Sequence, residues 1–307
     1  MSFYSPLIYL ALHRTVRTLL LLLLILGGTA YEAPAEESHP VEIRKNVQYG
    51  TGAGEPLTLN MAIPAGFEER LPVIMFIHGG GWIAGNKESL PDDLLTTAAQ
   101  GGYFVVSVGY RLAPKHVFPA QIEDCKCAVR YLRANAKELN IDPERIGAVG
   151  FSAGAHLAML LGTMDPSDGL EGEGGWSEES SKVQVAVSYA GPTNLDAEYP
   201  DASKRMVSAF IGGARSDKVD QYRRASPISY VSNGDAPLLL FQGTVDVLVP
   251  YEQGIQMARA MTEAKVPGRV ELLIGHNHGW PGKELERTQK GTYAFLDQYL
   301  KTEADDE

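Results

Sequence analysis

RIGAVGFSAGAHLAMLLG, residues 145–162, places a serine between two glycines at the point where an apolar extended run gives way to a helical one. The run before Gly150 has the composition of a buried strand, and the run after Ser152 has helical spacing. In a tight turn from strand to helix, glycines on both sides of a serine avoid clashes between a Cβ atom and neighbouring backbone. The turn also puts Ser152 at a helix N-terminus, where free N–H groups favour negative charge. This segment predicts a nucleophile elbow with Ser152 as the nucleophile.

Extended and helical segments alternate along the rest of the chain. Predicted strands cover residues 41–48, 57–63, 71–77, 103–110, 145–150, 183–189, 237–242 and 270–274, and predicted helices cover 120–139, 203–211, 251–264 and 283–300. The first two strands form an N-terminal hairpin, and the later ones are apolar runs typical of strands buried on both faces. The pattern predicts the α/β class, with a mostly parallel central sheet and helices on both faces. Since no internal repeat interrupts it, one domain over residues 41–300 is expected.

HGGGW, residues 78–82, follows the predicted strand that ends at residue 77. Three consecutive glycines let the backbone turn its N–H groups toward one point, as an oxyanion hole requires. We expect the N–H groups of Gly80, Gly81 and Ala153 to be the donors. The alternative is a glycine-rich turn with a purely structural role. The nearby serine elbow disfavours this alternative, because a nucleophile and an oxyanion hole serve the same reaction.

A serine nucleophile needs a base and an acid that orients the base, and in this type of elbow both come later in the chain. Asp246 directly follows the predicted strand 237–242, and His278 follows the strand 270–274. Both positions are carboxyl ends of predicted parallel strands, where open α/β sheets place their ligands. We therefore expect Ser152, Asp246 and His278 to be the catalytic residues.

The pair His276 and His278, in IGHNHGW, could instead clip a metal ion. The other histidines form no His-Glu-x-x-His motif and no Cys/His cluster, so third and fourth ligands are missing. The sequence predicts no metal site, and a serine mechanism needs neither a metal nor an organic cofactor. His276 is expected to be a loop residue that lines the pocket.

The bulk composition fits a globular protein with an exported N-terminal leader. The 307 residues are 44% hydrophobic, and the formal charge of −11 disfavours nucleic acid or anionic membranes as partners. Residues 1–30 combine basic residues, a short apolar run and small residues, as a signal peptide does, with cleavage expected after Ala30 or Ala35. A retained membrane anchor is the minority alternative. Residues 31–40 are a predicted linker, and residues 301–307 form an acidic tail. From the predicted signal peptide we expect a periplasmic or extracellular location without stable membrane association.

Several motifs occur in an order that resembles secreted bacterial α/β-hydrolases similar to acetyl-xylan and feruloyl esterases, close to the hormone-sensitive-lipase-like carboxylesterases. These motifs are HGGGW, YRLAP, GFSAGAHLA, ASPISYVS, QGTVDVLVP and HGW. The resemblance covers roughly residues 41 to 300. It implies an α/β-hydrolase fold and hydrolysis of acetyl or feruloyl esters of polysaccharide, or of other short-acyl esters, through an acyl-enzyme. Two departures are Ala155, where many relatives have glycine, and QGT in place of HGT beside Asp246.

Substrate contacts and rival functions stay open at this level. Trp82 and Trp280 adjoin the predicted oxyanion loop and base, so each either packs against a substrate or belongs to the core. The acidic, glycine-rich stretch 165–181 is either a solvated insertion or part of a lid. The same scaffold also serves amidases, formamidases, peptidases and non-catalytic binding modules, although the last generally lack a triad residue. The oligomeric state has no signature in the sequence.

Overall fold

A computed structural model describes residues 39–301. This part of the chain contains one eight-stranded sheet with the order β1-β2-β4-β3-β5-β6-β7-β8. The strands are β1 Val41–Gly52, β2 Glu55–Pro64, β3 Leu71–Ile77, β4 Phe104–Val108, β5 Ile141–Phe151, β6 Val185–Tyr189, β7 Leu238–Gly243 and β8 Gly268–Leu273. β1 pairs with β2 and β2 with β4 in antiparallel fashion, whereas all later neighbours are parallel. The mostly parallel sheet expected from the sequence is confirmed.

Helices cover both faces of this sheet. Within residues 39–301 the α-helices are α1 Asp92–Gln100, α2 Ala120–Ala134, α3 Ala136–Leu139, α4 Ala153–Thr163, α5 Asp201–Ile211, α6 Val219–Arg224, α7 Glu252–Ala264 and α8 Lys283–Leu300. Residues of α2, α4 and α5 share one core cluster, while residues of α1 and α8 share another. Residues of β4, β6 and β7 are all buried, as strands covered on both faces require. The fold is that of an α/β-hydrolase.

Most predicted elements are confirmed, and the differences have local causes. The helix expected over residues 120–139 is interrupted at Asn135, whose backbone has left helical geometry (φ −103°, ψ 13°). The helix α1 is missing from the sequence-based prediction because it is short, and only Leu95, Ala98 and Ala99 are buried along it. Burial of a few residues in a nine-residue segment is a weak periodic signal.

The predicted leader, nearly all of the linker and all but Lys301 of the acidic tail lie outside the described residues. Between residues 39 and 301, no helix combines the length and the apolar character that crossing a membrane would require.

Candidate active site

Ser152 occupies the turn between β5 and α4 with φ 54° and ψ −117°, a conformation that non-glycine residues rarely adopt. Close backbone approaches explain the flanking glycines. A Cβ atom on Gly150 would lie 2.3 Å from the carbonyl group of Gly154, and one on Gly154 would lie 2.0 Å from the carbonyl oxygen of Ile77. Neither position has room for a side chain, so the strand, the turn and the helix together hold Ser152 in its strained geometry.

His278 joins Ser152 to Asp246. Its Nε2 lies 2.9 Å from the Ser152 Oγ, and its Nδ1 lies 2.7 Å from the Asp246 Oδ2. An ionised carboxylate can only accept hydrogen bonds, so Nδ1 carries the proton and Nε2 is free to accept the serine hydroxyl proton. The Asp246 side chain is fully buried and that of His278 nearly so. The structure thus brings the three predicted residues into one hydrogen-bonded chain, in the orientation a serine nucleophile needs.

Asp246 is held on both carboxylate oxygens. Oδ1 accepts hydrogen bonds from the backbone N–H groups of Leu248 at 2.8 Å and Val249 at 3.0 Å. Oδ2 accepts a further bond from the side-chain amide of Gln242 at 3.0 Å, and this amide also donates to the Val249 carbonyl oxygen. Gln242 is the first residue of the QGT motif that departs from the family pattern. Its amide helps to orient the Asp246 carboxylate, and its position in the QGT motif beside Asp246 is the one sequence signal for this role.

The loop after β3 supplies unpaired backbone donors. Gly80 and Gly81 have φ values of 112° and 60°, and a Cβ atom on Gly80 would lie 2.1 Å from the carbonyl oxygen of Ala84. The N–H groups of Gly80, Gly81 and Ala153 donate to no acceptor within the described part of the chain. Gly80 and Gly81 line the cavity beside Ser152, and Ala153 follows Ser152 directly. Free N–H groups at these positions are what an oxyanion hole uses.

His78 ties the start of this loop to the core. Its ring stacks on Tyr110 with centroids 4.2 Å apart, and its Nδ1 donates to the Gly79 carbonyl oxygen at 2.7 Å. The Tyr110 hydroxyl donates in turn to the His78 carbonyl oxygen at 2.9 Å. Burial lowers the pKa of His78 to about 4, so the ring is neutral near pH 7.

Trp82 ends the same loop and packs inward. It is 3% exposed and stacks on Phe210 of α5 with centroids 4.3 Å apart. Its indole N–H donates to Nδ1 of His156 at 3.2 Å, so the His156 Nε2 carries a proton, which it donates to the Ala225 carbonyl oxygen at 2.6 Å. Burial lowers the pKa of His156 to about 4, which keeps the ring neutral. Trp82 is therefore both cavity wall and core, and His156, which the sequence singled out for nothing, links the oxyanion loop to α4.

Two of the expected substrate contacts do not reach the cavity. Trp280 is 1% exposed, stacks on Tyr189 and donates its indole N–H to the Thr288 hydroxyl at 2.9 Å. His276 lies in a separate surface depression with Glu284 and Arg287. Trp280 thus matches the core alternative, and neither Trp280 nor His276 lines the cavity beside Ser152.

The cavity beside Ser152 has a volume of about 620 Å³ and mostly apolar walls. Besides Ser152 and His278, it is lined by the oxyanion loop and by residues of α1, α5 and α8. Within residues 39–301, no group of three His, Cys, Asp or Glu side chains is arranged to hold a metal ion.

The acidic stretch 165–181 contacts α2 and β1 and does not line the cavity. Its carboxylate Glu171 pairs with the buried Lys126 at 2.7 Å and the buried Arg130 at 2.8 Å, both on α2. Farther along, the Trp176 indole donates to the Tyr49 carbonyl oxygen on β1 at 2.8 Å. None of its residues lines the cavity. The solvated-insertion interpretation is the one that fits, because the insertion is bound to α2 and β1.

The fold and the arrangement around Ser152 define an α/β-hydrolase. Residues 59–261, more than half of the chain, match the family described as BD-FAE, and the chain belongs to this family.

Two curated relatives come from Mycobacterium tuberculosis. The chain is 31% identical to the probable carboxylic ester hydrolase LipM over 186 residues, which are 59% of this chain and 43% of LipM. It is 30% identical to the esterase LipC over 243 residues, which are 76% of this chain and 60% of LipC. The chain thus spans about half of the length of these relatives. Among solved structures, a truncated carbohydrate esterase from gut microbiota shares the fold, with a TM-score of 0.74 at 23% identity, covering 88% of this chain and 100% of the other.

Proposed function

We propose that this protein is a serine-dependent hydrolase of carboxylic esters that acts through an acyl-enzyme. The observation that carries the proposal is the hydrogen-bonded chain from Ser152 Oγ through His278 to Asp246, with contacts of 2.9 and 2.7 Å. The names of the relatives LipM and LipC support the same reaction class.

In the first half of the reaction, His278 Nε2 takes the hydroxyl proton of Ser152 as Oγ attacks the ester carbonyl carbon. The N–H groups of Gly80, Gly81 and Ala153 hold the resulting oxyanion. Buried Asp246 stabilises the charged imidazolium that forms. When the tetrahedral intermediate collapses, the bond to the alcohol oxygen breaks, and His278 returns the proton to that oxygen.

In the second half, water attacks the acyl-enzyme while His278 accepts a proton from it. A second tetrahedral intermediate forms in the same oxyanion site and releases the carboxylic acid, and Ser152 regains its proton. No step requires a group outside this chain other than water and the ester.

The proposed substrates are acetyl or feruloyl esters of polysaccharide, or related short-acyl esters. The motif order that resembles acetyl-xylan and feruloyl esterases supports this choice. So does the exposed edge of the cavity at α5, where Asp201 and Arg205 could face a polar, hydroxyl-rich alcohol. A comparison of turnover on acetylated xylan, methyl ferulate, p-nitrophenyl acetate and an aryl formamide separates the possibilities. Activity on p-nitrophenyl acetate alone contradicts the carbohydrate proposal, and activity on the formamide without ester turnover indicates an amidase.

Matched alanine substitutions test the residue roles. Ser152→Ala and His278→Ala are each expected to lower turnover of p-nitrophenyl acetate by roughly 10⁴-fold or more, as loss of a triad residue does. The control His276→Ala, two residues away, is expected to retain most turnover because His276 lies in the separate depression. Near-normal turnover by Ser152→Ala, in folded protein, contradicts the serine mechanism.

Export is part of the same proposal and rests on the leader pattern of residues 1–30. N-terminal sequencing of the protein from its native host is expected to find Tyr31 or Glu36 as the first residue.

A further inference from the structure

The cavity beside Ser152 extends onto both sides of the sheet. One part, here the outer lobe, is bordered by Asp201, Arg205 and Met206 on α5 and by Leu248 after β7. The other part, here the inner lobe, lies between the sheet and the helices α1 and α8. Its walls include Phe76, Ser107, Val149, Leu94, Leu285 and Gln289.

Strand register builds the floor of the inner lobe. Phe76 on β3 is paired with Ser107 on β4 and with Val149 on β5, so these three residues lie side by side across adjacent strands. Phe76 and Val149 pack with the core cluster that contains α1 and α8, which places the floor on that face of the sheet. At usual strand spacings the floor begins about 10 Å along the chain from Ser152 and extends about 10 Å sideways.

Two helices form the other walls. Leu285 and Gln289 lie one turn apart on α8, and Thr292 and Tyr293 continue the same helix face into the cavity. Leu94 of α1 closes the far side. The lobe is therefore a cleft between sheet and helices, continuous with the nucleophile.

Charge and hydrogen bonding distinguish the two lobes. Among the residues that line the cavity, Asp201 and Arg205 are the only Asp, Glu, Lys or Arg side chains, and both border the outer lobe. In the inner lobe the Ser107 hydroxyl already donates to the Lys87 carbonyl oxygen at 2.7 Å, and the Thr292 hydroxyl is 2.6 Å from the Tyr189 hydroxyl. A charged group would lose its hydration there without gaining a partner of opposite charge, because no Asp, Glu, Lys or Arg side chain borders this lobe. An apolar group would gain from burial, at about 25 cal/mol for each Å² removed from water.

We propose that the inner lobe is the acyl site of the enzyme and that it favours uncharged, extended, apolar acyl groups, so that esters of larger acids are turned over faster than the acetyl esters that the site also accepts. The polar alcohol then lies in the outer lobe, where it can leave toward solvent. This inference rests on the proposed ester hydrolysis and names its acyl specificity. Aliphatic and aromatic acyl groups share the required chemistry, and the experiment has an arm for each.

The experiment fills the inner lobe from α8. Gln289→Trp places an indole in the lobe, whereas Lys290→Trp, the matched control, adds the same group one residue later on the exposed side of the helix. The probes are the p-nitrophenyl esters of acetate, octanoate and cinnamate. We expect wild type to prefer octanoate or cinnamate to acetate in kcat/KM. Gln289→Trp is expected to reduce kcat/KM for the preferred ester by on the order of tenfold or more, the scale of a blocked apolar pocket, while acetate turnover stays near wild type. Lys290→Trp is expected to leave all three unchanged.

Retained acetate turnover shows that the variant is folded and that the serine chemistry is intact, so failure of this inference is distinguishable from failure of the proposed function. Leu94→Trp fills the lobe from the α1 side and is expected to give the same selective loss. This second variant keeps the test valid if Gln289→Trp does not fold. Three results would overturn the proposal: equal losses on acetate and on the bulky esters, no loss on any of them, or a selective loss on octyl acetate, whose chain is on the alcohol.

Discussion

Two loops of this protein, residues 78–82 and residues 165–181, both contain several glycines and a tryptophan but differ in their position relative to the cavity. The first leaves the N–H groups of Gly80 and Gly81 without protein acceptors among the described residues and lines the cavity. In the second, Glu171 and the Gly169 carbonyl oxygen accept hydrogen bonds from α2, the Trp176 indole donates one to β1, and no residue lines the cavity. Glycine content alone therefore does not indicate a functional loop. What separates the two is position, because only the first begins at the carboxyl end of a parallel strand beside Ser152.

Replacing one glycine of each loop with alanine is expected to give the largest difference in activity between the two loops. Gly80 and Gly175 both have positive φ, at 112° and 126°, yet a Cβ on Gly80 would meet the Ala84 carbonyl oxygen at 2.1 Å, while one on Gly175 meets nothing within 4 Å. Gly80→Ala must displace loop 78–82, which carries the expected oxyanion donors. We therefore expect kcat on p-nitrophenyl acetate to fall by about 100-fold or more. Gly175→Ala is expected to keep wild-type kcat. Steady-state kinetics on folded variants, checked by circular dichroism, measures both, and a fully active Gly80→Ala would contradict the assigned donors.

Removing the hydrogen bond between Trp82 and His156 is expected to have a smaller effect on kcat through loop 78–82. Trp82→Phe keeps the stacking on Phe210 but removes the donor to His156, and His156→Leu removes the acceptor. Each is expected to lower kcat by about tenfold with little change in KM, because the loop loses its tie to α4. The double variant is expected to be no worse than the single ones. Additive losses in this cycle would show that the two residues do not act through each other.

In the acidic loop, a charge change is expected to affect stability without affecting catalysis. Glu171→Gln leaves the buried Lys126 and Arg130 without their carboxylate, and we expect the free energy of unfolding to fall by about 2 kcal/mol, less than for a fully buried pair because Glu171 is partly exposed. The control Glu173→Gln makes the same change at an exposed position of the same loop. Denaturant unfolding and kcat are measured together. A loss of kcat in Glu171→Gln at unchanged stability would restore a lid function for the loop.

The sequence alone predicted those site residues whose backbone conformation is strictly constrained. Ser152 sits in a turn that admits only glycine at positions 150 and 154, and Asp246 and His278 follow strands with clear apolar patterns, so local rules were sufficient. Side-chain direction was not available from such rules. Trp280 and His276 both lie two residues from His278, yet Trp280 is buried in the core and His276 lines a separate surface depression.

Side-chain contacts between residues that are distant in sequence could not be predicted either. His156 contacts Trp82 across 74 positions, and Glu171 contacts Lys126 and Arg130 across more than forty. No local periodicity encodes such pairs. Gln242 is the exception that a closer reading could have found, because it stands four residues before Asp246 in the same motif.

Covalent labelling tests the central claim, a serine nucleophile at position 152, most directly. After incubation with paraoxon, intact-protein mass spectrometry is expected to show the addition of one diethyl phosphoryl group in parallel with loss of esterase activity, and peptide mapping is expected to place it on Ser152. His278→Ala is expected to label far more slowly, since the base no longer activates the hydroxyl. Labelling at another residue with loss of activity, or full inhibition with Ser152 unmodified, would contradict the account.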